Sequence, residues 1–489
     1  MLRKIRISLA SLMLIIITVL LCGINYKLSM AFAWVAKIQF LPALMAFDIV
    51  VILFLLLLTA LFGRIYCSVI CPLGVMQDVF GYVGGKVKKN RFSFSPEKKW
   101  LRYGVLFFFV LCLIVGFAPV TTLLAPYSAY GRIINSLIKP ICDFINNALA
   151  DSAAQNGSYL FSEVDIWTRS VTVPVVSVLT LLILALLALA NGRTYCNTVC
   201  PVGTALSLVA RNAIFKIRFD KSKCRNCSLC EKNCKASAID FKSGTIDYSR
   251  CVVCGDCIEV CHFDALRFCA GGAKASDAPA EPDASRRAFI VGAAVAAGGV
   301  AAAQTLSKVD GGMAALTEKE APERQTPLVP AGAVSVDRFK KHCTACQLCV
   351  SSCPNNVLRP STSPERFMQP EMSYERGWCR PECKRCGDVC PAKAISPING
   401  GDKKDIHIGH AVWIESNCLV TSADVACDCC ARHCPQGAIT MVKTNDNPQK
   451  AVPMVDVSKC TGCGACENLC PARPFSAIYV EGHEQHVYS

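Results

Sequence analysis

Cys224-Arg225-Asn226-Cys227-Ser228-Leu229-Cys230-Glu231-Lys232-Asn233-Cys234 is spaced C-x2-C-x2-C-x3-C, and Cys251, Cys254, Cys257 and Cys261 repeat that spacing. Three closely spaced thiolates can wrap one [4Fe–4S] cube, while the fourth reaches a neighbouring cube. A four-cysteine zinc site is the competing reading, and this tight spacing argues against it. Between the runs, Ala238–Phe241 and Thr245–Asp247 flank Lys242-Ser243-Gly244, which predicts a short hairpin.

The paired runs resemble the bacterial two-cluster ferredoxins. That resemblance implies crossed ligation: Cys224, Cys227, Cys230 and Cys261 on one cluster, Cys251, Cys254, Cys257 and Cys234 on the other. The proline usual after each fourth cysteine is replaced by Lys235 and His262.

Further on, four more quartets each end in Cys-Pro: Cys343, Cys346, Cys349, Cys353; Cys379, Cys383, Cys386, Cys390; Cys418, Cys427, Cys430, Cys434; Cys460, Cys463, Cys466, Cys470. The outer two keep the regular spacing and the middle two are stretched. Ala394-Ile395, Ala438-Ile439 and Ala477-Ile478 follow three of the prolines. The repetition predicts two more ferredoxin-like modules. With the first module, 24 cysteines would hold six [4Fe–4S] clusters. Neighbour pairing and nested pairing of the quartets are both compatible with the spacers. Cys429 is an extra thiol, and Cys269 is unassigned.

Upstream, Ile7–Ile24, Leu41–Phe62, Leu101–Phe117 and Val171–Ala190 are apolar runs near bilayer-crossing length. Lys and Arg number sixteen in the N-terminus, the 63–100 loop and 191–224, against five in the 25–42 and 119–170 loops. The first set is therefore expected to be cytoplasmic. Ser285-Arg286-Arg287-Ala288-Phe289-Ile290 and the small-residue run after it resemble a twin-arginine export signal. As a fifth span it would carry 306–489 outside. The expected fold class is an α-helical membrane domain of four spans plus a fifth connecting span, with α+β two-cluster ferredoxin-like modules.

Gly63-Arg-Ile-Tyr-Cys-Ser-Val-Ile-Cys-Pro-Leu-Gly74 and Gly192-Arg-Thr-Tyr-Cys-Asn-Thr-Val-Cys-Pro-Val-Gly203 match at seven of twelve positions. This reads as a duplicated hairpin. A C-x3-C spacing places both sulfurs on one helical face. Cys67, Cys71, Cys196 and Cys200 could converge as a four-thiolate metal site or a dithiol pair; helix-ending turns with inert thiols are the plain alternative. Asp48 is the acid inside an expected span, which marks it as functional by default or as a rim residue. Cys22, Cys112 and Cys142 have no partners in sequence and read as packed thiols. No expected span holds a histidine, which argues against membrane haem, and no flavin motif is present.

A hydrophobic fraction of 52% and 33 cysteines in metal-type groups exclude a disulfide-stapled miniprotein. The formal charge of +14 does not imply nucleic acid, because six clusters would offset about −12 of it.

Residues 1–270 are similar to NapH-type membrane ferredoxins, and residues 285–489 resemble the NapG/MauM ferredoxin-type proteins. The resemblance implies quinol-linked electron delivery to a periplasmic reductase system. The expected organisation is a helical membrane domain (1–210), a cytoplasmic two-cluster domain (211–269), a linker (270–284), a twin-arginine-like span (285–305), a linker (306–336) and an extracytoplasmic four-cluster domain (337–489). The expected function is an inner-membrane electron-transfer protein coupling the quinone pool to an extracytoplasmic reductase or cytochrome, with Asp48 taking a quinol proton. A thiol or metal redox sensor, or a cofactor-maturation protein, using the C-x3-C-P cysteines is the alternative.

Overall fold

The computed structural model describes residues 2–87, 92–157, 163–164, 166, 171–270, 318–399, 402–444 and 447–489. The expected fifth span at 285–305 lies outside them. The unbroken Leu/Ile run makes α1 (Leu2–Cys22), and Gly23, with φ of 68°, ends it. After α2 (Tyr26–Lys37), the expected second span is two helices, α3 (Phe40–Met45) and α4 (Ile49–Phe62). Phe47 adopts a left-handed backbone at the break. Asp48 is the N-cap of α4, its carboxylate accepting from Val51 N at 3.4 Å.

Then come α5 (Ile65–Val69), α6 (Pro72–Val87), α7 (Lys99–Val115), α8 (Ala118–Leu124), α9 (Pro126–Ile133), α10 (Lys139–Gln155), α11 (Thr172–Asn191), α12 (Thr194–Thr198) and α13 (Pro201–Ala210). Among the described residues, only α1 and α11 are long and apolar enough to cross a membrane. At 1.5 Å per residue, α4 rises about 21 Å, short of a bilayer core of about 30 Å. The four expected runs are thus two long helices, one broken run and the 17-residue α7.

The predicted duplication is visible as α4–α5–α6 and α11–α12–α13. Gly63 and Gly192, both at positive φ, end α4 and α11. One short helix then carries the first cysteine of each pair. The second cysteine lies outside that helix, because Pro72 and Pro201 open the next one. The pairs therefore do not share one helical face, as their spacing had implied. Ile17, Leu21, Leu55, Leu184 and Leu206 form the buried core of this domain. Its outer face is apolar too: Leu53 is 60% exposed, Phe107 72% and Ile183 57%.

The first cysteine module opens on β1 (Phe215–Phe219). The predicted hairpin is β2 (Ile239–Asp240) and β3 (Thr245–Ile246), and β1 pairs antiparallel with β4 (Leu266–Ala270). In the C-terminal part, β5 (Leu358–Pro360) pairs with β6 (Pro370–Met372). There β7 (Ile406–Trp413) spans to the last strand, β8 (Ile439–Thr444) pairs with β9 (Asn447–Val455), and β10 (Ile478–Tyr488) returns to β7. The β7–β10 ladder encloses the last two quartets as β1–β4 encloses the first two.

The two cysteine-rich parts dock at opposite ends of α1. At its start, Arg3 pairs with Asp256 at 2.9 Å and Glu259 at 2.5 Å. Past its end, Gly23 abuts the Ser351 carbonyl so closely that a Cβ would overlap it. Twenty-one helical residues set the two contacts about 30 Å apart.

Candidate metal centres

The regular quartets share a backbone device. Residues two and four after the first cysteine are left-handed: Asn226 and Ser228, Val253 and Gly255, Ala345 and Gln347, Gly462 and Gly464. Such reversals turn successive N–H groups inward towards negative charge. Asn226 N and Ala345 N each donate to the first sulfur of their run at 3.4 Å. After the fourth cysteine, Ala238, Ile395, Ala438 and Ala477 donate N–H to Cys234, Cys390, Cys434 and Cys470 at 3.3–3.5 Å. This explains the recurring Ala-Ile pair: one amide serves the sulfur, and the isoleucine packs, with Ile239, Ile395, Ile439 and Ile478 all buried.

The cavities show which cysteines meet. One is lined by Cys224, Cys227, Cys230 and Cys261. A second is lined by Cys353, Cys379, Cys383 and Cys386. A third holds Cys434, Cys460, Cys463 and Cys466, and a fourth Cys418, Cys427, Cys430 and Cys470. Cys234 stands within electrostatic range of Cys251, Cys254 and Cys257, and Cys390 of Cys343, Cys346 and Cys349. Three cysteines of one run thus face the fourth of its neighbour in every module. The C-terminal quartets associate as neighbours, 343–353 with 379–390 and 418–434 with 460–470, and not as a nest.

These sets fit clusters better than single ions. Four sulfurs on one zinc lie within about 4 Å of one another. Among the described residues, no three His, Cys, Asp or Glu side chains are gathered tightly enough for one ion. Burial pushes the Cys254, Cys346 and Cys463 thiols up to about 12; a cationic core bound there would supply the charge that holds them as thiolates. Lys403 Nζ donates to Cys379 Sγ at 3.2 Å and to the Cys383 carbonyl at 2.7 Å, placing a positive charge on that set.

Cys67, Cys71, Cys196 and Cys200 are each 4% exposed and converge inside the helical domain. Each lies within electrostatic range of the other three. The duplication makes their surroundings two-fold. Arg64 donates to the Cys196 carbonyl at 2.9 Å, and Arg193 to the Cys67 carbonyl at 2.6 Å. Gly203 N donates to Cys200 Sγ at 3.4 Å, while a Cβ on Gly74 or Gly203 would overlap the Cys67 or Cys196 carbonyl. Gln77 Nε2 donates to Cys196 Sγ at 3.3 Å. The sequence signal for the two arginines is the repeated Gly-Arg-x-Tyr-Cys.

Lys235, where the ferredoxin pattern has proline, pairs with Asp78 at 3.0 Å and Asp256 at 3.1 Å. Asp78 also receives Arg193 and Arg6 at 2.7 Å. The departure from the pattern is a docking contact between module and helices. Cys22 and Cys142, which have no partners close in sequence, are side-chain neighbours. Cys429 donates to the Leu469 carbonyl at 3.2 Å and lines the Cys418 cavity. Cys269 is exposed on β4.

A family model described as a 4Fe-4S binding domain matches residues 44–90 and 172–222, the segments bearing Cys67, Cys71, Cys196 and Cys200. A 4Fe-4S dicluster domain matches residues 425–473. The chain is 32% identical over 170 residues to the methylamine utilization ferredoxin-type protein MauM of Methylobacillus flagellatus, covering 32% of this chain and 70% of that protein. It is 30% identical over 205 residues to the ferredoxin-type protein NapG of Escherichia coli K12, covering 39% of this chain and 83% of NapG. Against NapF of the same strain it is 29% identical over 147 residues, 30% of this chain and 80% of NapF. Iron–sulfur chemistry and ferredoxin-type electron transfer follow from both kinds of match. The chain belongs to the NapG/MauM family of ferredoxin-type iron–sulfur proteins.

Proposed function

We propose that this chain is a membrane-bound electron-transfer protein that couples the quinone pool to an extracytoplasmic redox partner through six [4Fe–4S] clusters. The observation that carries this reading is the docking of two cysteine-rich parts at opposite ends of α1, about 30 Å apart. The exposed apolar side chains around the helices support a bilayer between them. On this reading 211–284 is cytoplasmic, 306–489 extracytoplasmic, and 285–305 the connecting twin-arginine-like span. The 24 cysteines of the six quartets are the iron ligands, and the catalytic end of the pathway belongs to the partner.

The outer end also offers a place for quinol. A cleft between α3, α7, α8 and the segment before Cys343 is lined by Leu41, Met45, Leu113 and Cys343. The loop holding Asp48 is beside it: the Phe47 ring stands 6.3 Å from that of His342. Asp48 is the proton acceptor in this reading. The burial of the C-x3-C-P thiols disfavours the sensor alternative, because a sensing thiol must be reached.

The test is quinol-dependent reduction of the clusters in proteoliposomes, with Asp48→Asn as the variant. Asparagine caps a helix as well as aspartate does, so α4 survives while the base is lost. Slower reduction with all clusters assembled supports the reading. Wild-type protein that quinol never reduces overturns it.

A further inference from the structure

The four C-x3-C-P thiols occupy a position in the fold that their sequence does not reveal. On one side the residues beside them bind the module carrying Cys234. Asn197, next to Cys196, donates to the Ala236 carbonyl at 2.9 Å, two residues from Cys234. Arg193 N donates to the Lys235 carbonyl at 2.8 Å. Arg64, which reaches Cys67 Sγ at 3.8 Å, also donates to the Ser249 carbonyl at 3.1 Å, two residues from Cys251.

On the other side they are linked to the module carrying Cys346. Tyr195, the residue before Cys196, donates to the Leu124 carbonyl at 3.0 Å. Three residues on, Tyr127 lies within electrostatic range of Cys346. Ser128 donates to the Thr344 carbonyl, and Gly131 packs so tightly on the Cys346 carbonyl that only glycine fits. A continuous route of covalent and hydrogen bonds therefore runs Cys234–Ala236–Asn197–Cys196–Tyr195–Leu124–Ser128–Thr344–Cys346.

We propose that Cys67, Cys71, Cys196 and Cys200 hold a further iron–sulfur cluster, the relay that carries single electrons between the Cys234 set and the Cys346 set. This rests on the electron-transfer reading above. Four buried thiols in two-fold surroundings suit a thiolate-bound cluster. In each hop one cluster loses an electron and is oxidised, and the next gains it and is reduced. No bond forms or breaks and no proton moves. Tunnelling falls steeply with distance, so modules at opposite ends of a helical domain need such a stepping point.

The test uses the full chain, purified anaerobically and returned to sealed vesicles of one orientation without quinol. Dithionite, which does not cross the bilayer, is added on the side of the 224–261 module. The wild type should bleach fully. Cys67→Ser/Cys196→Ser should lose about two to four iron atoms and bleach only about a third of the amplitude, from the two clusters of the near module. Gln77→Leu, which keeps all four thiols, should retain the iron but shift the electron paramagnetic resonance signal that the double variant lacks. Iron content and bleaching equal to wild type in the double variant would overturn the relay. So would zinc or copper in place of the missing iron. A failure of quinol to reduce the protein would sink only the quinone reading, because no quinol enters this experiment.

Discussion

Arg64 donates to the carbonyl oxygen of Cys196 across the helical domain, and the duplicated Arg193 returns the contact to Cys67. Each arginine is at most 1% exposed and locks the partner repeat's first cysteine in place. Arg193 also holds Asp78 at 2.7 Å. Removing one partner of a buried ion pair costs about 3–5 kcal/mol. Arg193→Met should lower the detergent-solution melting temperature and expose the 224–261 module to protease, since Asp78 and Lys235 then lose their arrangement. Unchanged melting and protection would show that Arg6 and Lys235 suffice for Asp78.

Gly131 should be irreplaceable for a different reason. Any side chain there meets the Cys346 carbonyl backbone, which cannot swing aside. Gly131→Val should loosen the contact of residues 343–353 with α9 and leave the contact of Arg3 with Asp256 intact. Hydrogen exchange of the two interfaces reads this directly: protection falls at 343–353 and holds at 251–261.

How far the sequence led can be judged from particular residues. The quartets were legible because cluster ligation needs thiolates at short fixed spacings, and the β2–β3 hairpin because Lys242-Ser243-Gly244 marks a turn. The break at Phe47 was not legible: hydropathy averages over a left-handed residue, so two helices read as one span. Pairing of the C-terminal quartets was also hidden, because the β7–β10 ladder that unites the last two depends on contacts between residues about 70 apart. Lys235 looked like a defect in a pattern and is a docking residue, since its partner Asp78 lies far away in sequence.

The C-terminal part should lose stability in mild acid through His486. The ring is buried, neither ring nitrogen has a partner among the described residues, and burial pushes its pKa down to about 4 from an ordinary value near 6.5. A depressed folded value means stability that is present above pH 6.5 and lost as pH falls towards 4. The shift corresponds to about 3 kcal/mol. His486→Phe removes no hydrogen bond and should flatten this acid limb. The check is cluster release followed by visible absorbance between pH 7 and 4; identical curves for variant and wild type would contradict it.

Lys403 and Cys353 together test crossed ligation. The ammonium of Lys403 on Cys379 stabilises the more negative, reduced state, so Lys403→Met should make one cluster's reduction potential more negative and leave the others in place. The cavity beside Lys403 is lined by Cys379, Cys383, Cys386 and, from the preceding run, Cys353. Cys353→Ser should therefore abolish or alter the same signal that Lys403→Met shifts. Cys390→Ser should spare it and alter the cluster of Cys343, Cys346 and Cys349, the thiols that Cys390 faces. If each run instead kept its own fourth cysteine, the two serine variants would exchange effects, and Cys390→Ser would remove the Lys403-sensitive signal. Redox titration of the three variants by electron paramagnetic resonance separates the two arrangements, because the Lys403 shift labels one cluster independently of either ligand change.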